Sequence, residues 1–309
     1  MTLLTEKTTN QSAKPFVKWA GGKSQLLSDM QKRYPKELGI SIKRYCEPFV
    51  GGGAVLFDIL SKYEMDVVLI NDINSELINT YYQIKNNLDY LVEQLTKIQD
   101  EYWSRSKEDR KKYYYNKRDL FNSLKSTHES SLFVLKASLF IFLNRTCFNG
   151  LYRVNKKGQF NVPIGSYKKP TICDFENLTI VSNILKYVDI RCGDYEECKD
   201  FITKKTLVYI DPPYRPISET ASFTSYTEDA FNDTQQKRLG QFVDTINALG
   251  AKVLVSNSDP KNIDKEDDFF DTLYEAYDIK RISAKRMINC NGDSRGNISE
   301  LLITNYECP

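Results

Sequence analysis

The chain's 309 residues are 41% hydrophobic and 27% charged, with 43 basic against 41 acidic side chains and a formal net charge of +2. This balance fits a globular chain with room for one large α/β domain and a smaller inserted one. It excludes a membrane span, because no window approaches the roughly 18 uninterrupted apolar residues required, and the most apolar run, 132–143, contains Lys136. No signal segment opens the sequence, so a cytoplasmic monomer with no membrane partner is expected.

Seven scattered cysteines, never spaced as CxxC, read as neither a disulfide framework nor a zinc site. The single histidine, His128, lies in a polar run, which removes a Ser-His-Asp triad and a multi-histidine metal site from consideration. Chemistry here is expected to proceed without imidazole or metal.

In chain order, residues 16–27 read FVKWAGGKSQLL, and Gly22-Lys23-Ser24 resembles the end of a phosphate-binding loop. That pattern needs a glycine five positions before Gly22, where Val17 stands, so a triphosphate site is not expected. Residues 44–60 predict a strand, a glycine turn and a helix, and 65–72 a strand ending in Asp72. An amphipathic helix over 75–98 follows, and 99–143 is helical in pattern. Extended arms on either side of Lys157-Gly158 predict a β-hairpin within 144–170. Beyond it lie a strand at 206–210, a helix at 234–249, a strand at 252–259, a polar surface loop at 259–268 and a last strand at 300–306. The alternation predicts an α/β fold with a Rossmann-like sheet, residues 1–74 and 172–309 forming the catalytic domain. Residues 75–171 are expected as a mainly helical insertion carrying the hairpin.

Between 130 and 173 there is no Asp or Glu, while Lys136, Arg145, Arg153, Lys156, Lys157, Lys168 and Lys169 all fall there. The segment suits either a solvated basic surface or a face that binds a polyanion. EPFVGGG (47–53) offers backbone that a ligand can approach closely. Asp72, about twenty residues further on, has the position of a carboxylate that binds ribose hydroxyls, or of a helix cap. VYIDPPY (208–214) puts an acid and two prolines at a strand end. An exocyclic amine on a nucleobase is a poor nucleophile because its lone pair is delocalised into the ring. Asp211 and the Pro212 carbonyl would accept its hydrogens and favour a pyramidal nitrogen, while Tyr214 offers a face for stacking.

In order, FVKWAGGK, EPFVGGG, LIND, NRTCFNGLYRVNKKGQFNVPIGSYKKP, YIDPPY and SETASFTSYT, with LVSNSD and SRGNISELLITNY, resemble the Dam-type, alpha-group DNA adenine N(6)-methyltransferases. The resemblance runs from Phe16 to Tyr306. It implies S-adenosyl-L-methionine as methyl donor, S-adenosyl-L-homocysteine as product, and double-stranded DNA from which the target adenine is flipped. By the same resemblance, Asp211, Pro212, Pro213 and Tyr214 are the catalytic motif. The cofactor would be bound by Trp19, Lys23, Phe49, Gly51, Gly53, Asp72 and Asp211, with Asp194 and Tyr195 bordering its adenine.

The resemblance also implies that Arg153 and Tyr167 face base edges, Leu151 and Pro163 pack near a thymine methyl, and Lys18 reaches a guanine. Phe148 and Asn149 would fill the space left by the flipped base, and the matched set points to GATC. Arg286 and Arg295, around MINCNGDS, suit a loop closing on phosphate or a plain surface hairpin. Competing expectations are a non-catalytic DNA-binding protein that retains the fold, and a methyltransferase acting on RNA or on a protein amide. The protein-amide enzymes carry Asn where Asp211 stands.

Overall fold

The computed structural model describes residues 12–215, 231–285 and 297–308. The SETASFTSYT stretch, MINCNGDS, Arg286 and Arg295 lie outside them. In chain order the elements are α1 (Leu27–Gln31), β1 (Arg44–Glu47), α2 (Ala54–Lys62), β2 (Val67–Asp72), α3 (Ser75–Asn86), α4 (Leu88–Trp103), α5 (Lys107–Leu124) and α6 (Phe133–Thr146). There follow α7 (Phe175–Leu185), β3 (Val188–Cys192), β4 (Thr206–Ile210), α8 (Asp233–Ala248), β5 (Lys252–Ser258), α9 (Phe269–Leu273), β6 (Asp278–Lys285) and β7 (Asn297–Thr304). The result is the mixed α/β fold that the alternation of the sequence predicts.

Two compact units share the chain. One consists of Met1–Gly22, Gly51–Lys62 and Asp72–Gly193, the other of Lys23–Val50, Tyr63–Asn71 and Asp194–Pro309. Of the five passages from one unit to the other, all but that between Lys62 and Tyr63 fall inside the FVKWAGGK, EPFVGGG, LIND and CGDY stretches.

The second unit carries six strands in the order β2-β1-β4-β5-β7-β6. β1 pairs in parallel with both β2 and β4, and β4 with β5, while β7 runs antiparallel to β5 and β6. Every residue of β4 is buried, which is why TLVYI reads as a continuous apolar run rather than an alternating one. Because β1 and β4 are parallel neighbours, Phe49 and Asp211 both follow the carboxyl ends of their strands, where α/β sheets present their ligands. The core beneath is built from Val208, Ile210, Val253 and Val255 of the sheet with Leu239, Phe242 and Val243 of α8.

The first unit centres on α6, which packs against α3, α4 and α5. Its apolar residues are buried around nearly the whole circumference, and Lys136 is accommodated because Glu76 of α3 lies 3.3 Å away. Among the described residues no helix is long and apolar enough to cross a membrane.

Several elements differ from the sequence expectations. The single helix expected over 75–98 is two, broken at Asn87 (φ −136, ψ 38), whose N–H still bonds to the Gln83 carbonyl. Asparagine favours such ends because its short amide competes for backbone groups. The helical tract 99–143 is likewise interrupted, where Ser106 caps Asp109 N. The hairpin arms meet at single bridges, Val154 with Phe160 and Cys147 with Ile164, rather than along a ladder, and Gly158 supplies the left-handed turn residue (φ 68). The loop expected at 259–268 contains a short 3-10 turn, Pro260–Asn262. The last strand begins three residues earlier than expected, at Asn297.

Candidate active site

In the second unit, β4 stops because Pro212 and Pro213 have no N–H to continue the ladder. Asp211, with its side chain 21% exposed, lies 2.8 Å from Lys23 Nζ, and Ser256 Oγ of β5 donates to the same oxygen, Oδ1, at 2.9 Å. Lys23, only 2% exposed, also donates to the Tyr214 hydroxyl at 3.1 Å and faces Glu300 Oε2 at 3.6 Å. The Tyr214 hydroxyl in turn donates to Glu300 Oε1 at 2.8 Å. Tyr214 therefore has its hydroxyl tied inward while the residue remains 39% exposed.

Burial alone would discharge Lys23, but Asp211, Tyr214 and Glu300 outweigh it and hold the ammonium's pKa above its ordinary value. Burial pushes the Glu300 carboxyl up, an effect that Lys23 and Tyr214 partly offset. The lysine is thus a fixed cation between two carboxylates.

The rest of the loop is held from outside the motif. Gln236 of α8, completely buried, donates to the Pro213 carbonyl at 3.2 Å, whereas the Pro212 carbonyl has no partner among the described residues. Arg215 binds Asp233 at 2.6 Å and Asp267 at 2.5 Å and lies over the Phe269 ring at 4.3 Å, which anchors the chain directly after Tyr214.

Phe49 and Tyr195 also meet in this unit, ring centroids 5.1 Å apart. Burial pushes the Tyr195 hydroxyl up to about 12. Arg238 grips both Asp194 oxygens at 2.9 Å and also Glu196, so the Asp194 carboxylate is oriented by an arginine that the motif did not reveal.

The first unit holds the glycine loop. Gly51 N donates to Asp72 Oδ2 at 3.0 Å and Asn74 N to Oδ1 at 2.9 Å. Asn74, not Asp72, caps α3. Burial raises the Asp72 carboxyl above its usual range, and the backbone donors oppose the shift. Gly51 has φ 48, and a Cβ there would come within 2.7 Å of Trp19 Cδ1. At Gly53, with φ 74, one would meet the Tyr81 hydroxyl at the same distance. The indole of Trp19, stacked on Tyr152 at 5.7 Å, thus walls the loop itself.

The same unit joins Lys18 to the segment after α6. Asn144 accepts from Lys18 N and donates to the carbonyls of Lys18 and Gly150, and Lys18 Nζ reaches the Tyr167 hydroxyl at 3.1 Å. Phe148 is 52% exposed, and its N–H bonds to the Pro163 carbonyl at 2.8 Å. Asn149 takes a left-handed conformation (φ 56). Arg153 Nε donates to Asn161 Oδ1 at 2.8 Å. Leu151 is half-buried, and Pro163, Lys156, Lys157, Lys168 and Lys169 are exposed.

Sequence reasoning missed Glu300, Ser256, Gln236, Arg215 and Arg238. Glu300 left a trace, a lone acid within the otherwise apolar ELLIT. Among the described residues no group of three or more His, Cys, Asp or Glu side chains is arranged to hold a metal ion.

Residues 19–288 match the family described as D12 class N6 adenine-specific DNA methyltransferase. The chain is 52% identical over 295 residues to the Type II methyltransferase M.MjaIII of Methanocaldococcus jannaschii, covering 95% of this chain and 99% of that one. It is 38% identical over 308 residues to the Type II methyltransferase M1.LlaDCHI of Lactococcus lactis subsp. cremoris, covering 99% of each. To the DNA adenine methylase of Haemophilus influenzae it is 33% identical over 290 residues, 94% of this chain and 92% of the other.

Proposed function

From its membership in the D12 class N6 adenine-specific DNA methyltransferase family, to which this chain belongs, we propose that it methylates the 6-amino group of an adenine flipped out of duplex DNA. S-adenosyl-L-methionine would supply the methyl group as an electrophile on its sulfonium and leave as S-adenosyl-L-homocysteine.

The observation that carries this reading is the pair of acceptors at the end of β4. Among the described residues Asp211 is anchored through Oδ1 alone, and the neighbouring Pro212 carbonyl has no partner. Asp211 Oδ2 and the Pro212 carbonyl accept the two hydrogens of the amine, which draws its lone pair out of conjugation. Lys23, itself buried, pairs with the Asp211 carboxylate at 2.8 Å. Tyr214, its hydroxyl fixed, stacks on the base with roughly 1–3 kcal/mol, which offsets part of the few kcal/mol needed for flipping.

The cofactor-binding set is Trp19, Lys23, Phe49, Gly51, Gly53, Asp72, Asp194, Tyr195 and Asp211. The fit rests on two features of the first unit. The Asp72 carboxylate, already oriented by two backbone donors, retains lone pairs for ribose hydroxyls, and the positive φ of Gly51 and Gly53 keeps the loop free of side chains. Lys18 and Arg153 read guanine edges, each good pairing contributing about 1–3 kcal/mol of discrimination. Tyr167, Leu151 and Pro163 complete the base contacts, and Phe148 and Asn149 fill the vacated stack. The exposed Lys156, Lys157, Lys168 and Lys169 bind phosphates, which positions the duplex without reading it. The proposed target is GATC.

Incubation with labelled S-adenosyl-L-methionine and plasmid DNA, followed by sequencing of the methylated positions, tests this reading. Methylated adenine within GATC is expected. Another context would overturn the specificity, and no methylated adenine at all would overturn the activity.

A further inference from the structure

The Asp211 carboxylate is held from one side. Lys23 and Ser256 both reach Oδ1, and among the described residues no donor reaches Oδ2. Ser256 belongs to β5, the parallel neighbour of β4, and is completely buried. A serine hydroxyl has one proton to give, and this one is given to Asp211. The Tyr209 hydroxyl, 2.8 Å from Ser256 Oγ, must therefore be the donor in the second bond. Tyr209 is 1% exposed, so the result is a one-way chain, Tyr209 to Ser256 to Asp211, running through the sheet core.

The two hydroxyls meet between β4 and β5, whose other buried side chains are apolar apart from Thr206 and Asn257. A buried hydroxyl without a partner is costly, and apolar side chains would fill the same space at no such risk. Neither group is accessible to DNA or to a cofactor, so their effect must pass through Asp211. Lys23 and Ser256 also differ in what they constrain. An ammonium on a flexible stem neutralises a carboxylate without fixing its plane. A hydroxyl mounted on a strand and held from behind has a fixed direction, and chains of such bonds strengthen one another.

We propose that Ser256, with Tyr209 acting through it, is a positioning residue for methyl transfer. It sets the plane of the Asp211 carboxylate so that Oδ2 meets the target amine. The inference rests on the assignment of Asp211 as acceptor for that amine. Without Ser256, Asp211 stays paired with Lys23 but turns about its Cβ–Cγ bond. The chemical step then slows while binding persists.

The test uses the full chain, S-adenosyl-L-methionine and duplex DNA, with kcat, cofactor KM, DNA Kd and melting temperature measured for S256A, Y209F, the double variant and D211A. Misplacement of a reacting group by about 1 Å costs on the order of 100-fold, so S256A should lose about 10- to 100-fold in kcat with KM and Kd changed less than about threefold. Y209F should lose less, about threefold or more, and the double variant should be no slower than S256A, because residues acting in series are not additive. A kcat for S256A within about twofold of wild type would overturn the inference. So would multiplicative losses in the double variant, or a loss of DNA and cofactor binding in step with melting temperature. If S256A does not fold, Y209F alone decides: slower turnover at unchanged binding supports the chain, and unchanged turnover overturns it. An active D211A enzyme would overturn the Asp211 assignment itself, and the inference with it.

Discussion

Around Asp211, the side chains of Lys23, Glu300, Ser256 and Tyr209 are buried and bound to one another or to the DPPY motif. Along 147–167, the polar side chains apart from Cys147 and Tyr152 are half-buried or exposed, and both Tyr167, bonded to Lys18, and Arg153, bonded to Asn161, lie partly open to solvent. The contrast is the one that the proposed roles require. A carboxylate that orients a reacting nitrogen needs partners that hold in a low-dielectric interior, where each bond is strong and a missing partner is costly. Groups that read a duplex must exchange their internal partners for bases and phosphates, so those partners have to be few and easily replaced.

This contrast is open to attack at both ends, and the largest effect is expected at Lys23. Lys23→Ala strands Asp211 and Glu300 beside each other without their cation. Removing one partner of a buried ion pair costs about 3–5 kcal/mol, so denaturant unfolding should show a loss of that order together with loss of methyl transfer. A stability change under about 1 kcal/mol would mean that the cluster behaves like a surface pair, and the contrast would fail. Arg153→Ala should relax the choice of one base pair by about 1–3 kcal/mol in competition assays on substituted sites, while its unfolding curve stays within about 0.5 kcal/mol of wild type.

Glu300 gives a pH-dependent test. Burial holds its carboxyl above the usual range, so the folded state binds the proton more tightly than the unfolded chain does. The stability that this group contributes is therefore lost as pH rises from about 4.5 through the raised value. Glu300→Gln has no proton to lose. Its melting temperature relative to wild type should climb over that interval, and a flat difference would contradict the burial argument. The smallest effect is expected at Lys156. Lys156→Ala should weaken DNA binding evenly across sequences and make the salt dependence of log K shallower by about one unit. A change in sequence preference would move this lysine from the phosphate to the base contacts.

The parallel strands and the proline stop after β4 were legible in the sequence, because both obey local rules. TLVYI is buried on both faces, and two prolines end it. Asn87 breaks a helix whose apolar spacing runs straight through it, so periodicity alone missed the boundary. DIKRISAK, strand β6, pairs among the described residues only with β7, at the edge of the sheet, and its half-polar sequence has no run to announce it. Lys23 and Asp211 were named from their motifs and meet in space. Glu300 and Ser256 were not, because an ion pair or hydrogen bond between residues far apart in the sequence leaves no spacing to read. For Asp194, the resemblance pointed to the border of the cofactor adenine, and its bidentate partner Arg238 lies on α8, out of reach of any local pattern.

In the proposed reaction an anchored carboxylate at the end of β4 activates the amine without histidine or metal. Methyl transfer by Asp211→Ala to duplex DNA, measured beside its melting temperature and DNA affinity, tests it most directly. The account predicts a folded protein that still binds DNA and transfers no methyl group. Transfer at the wild-type rate would contradict it.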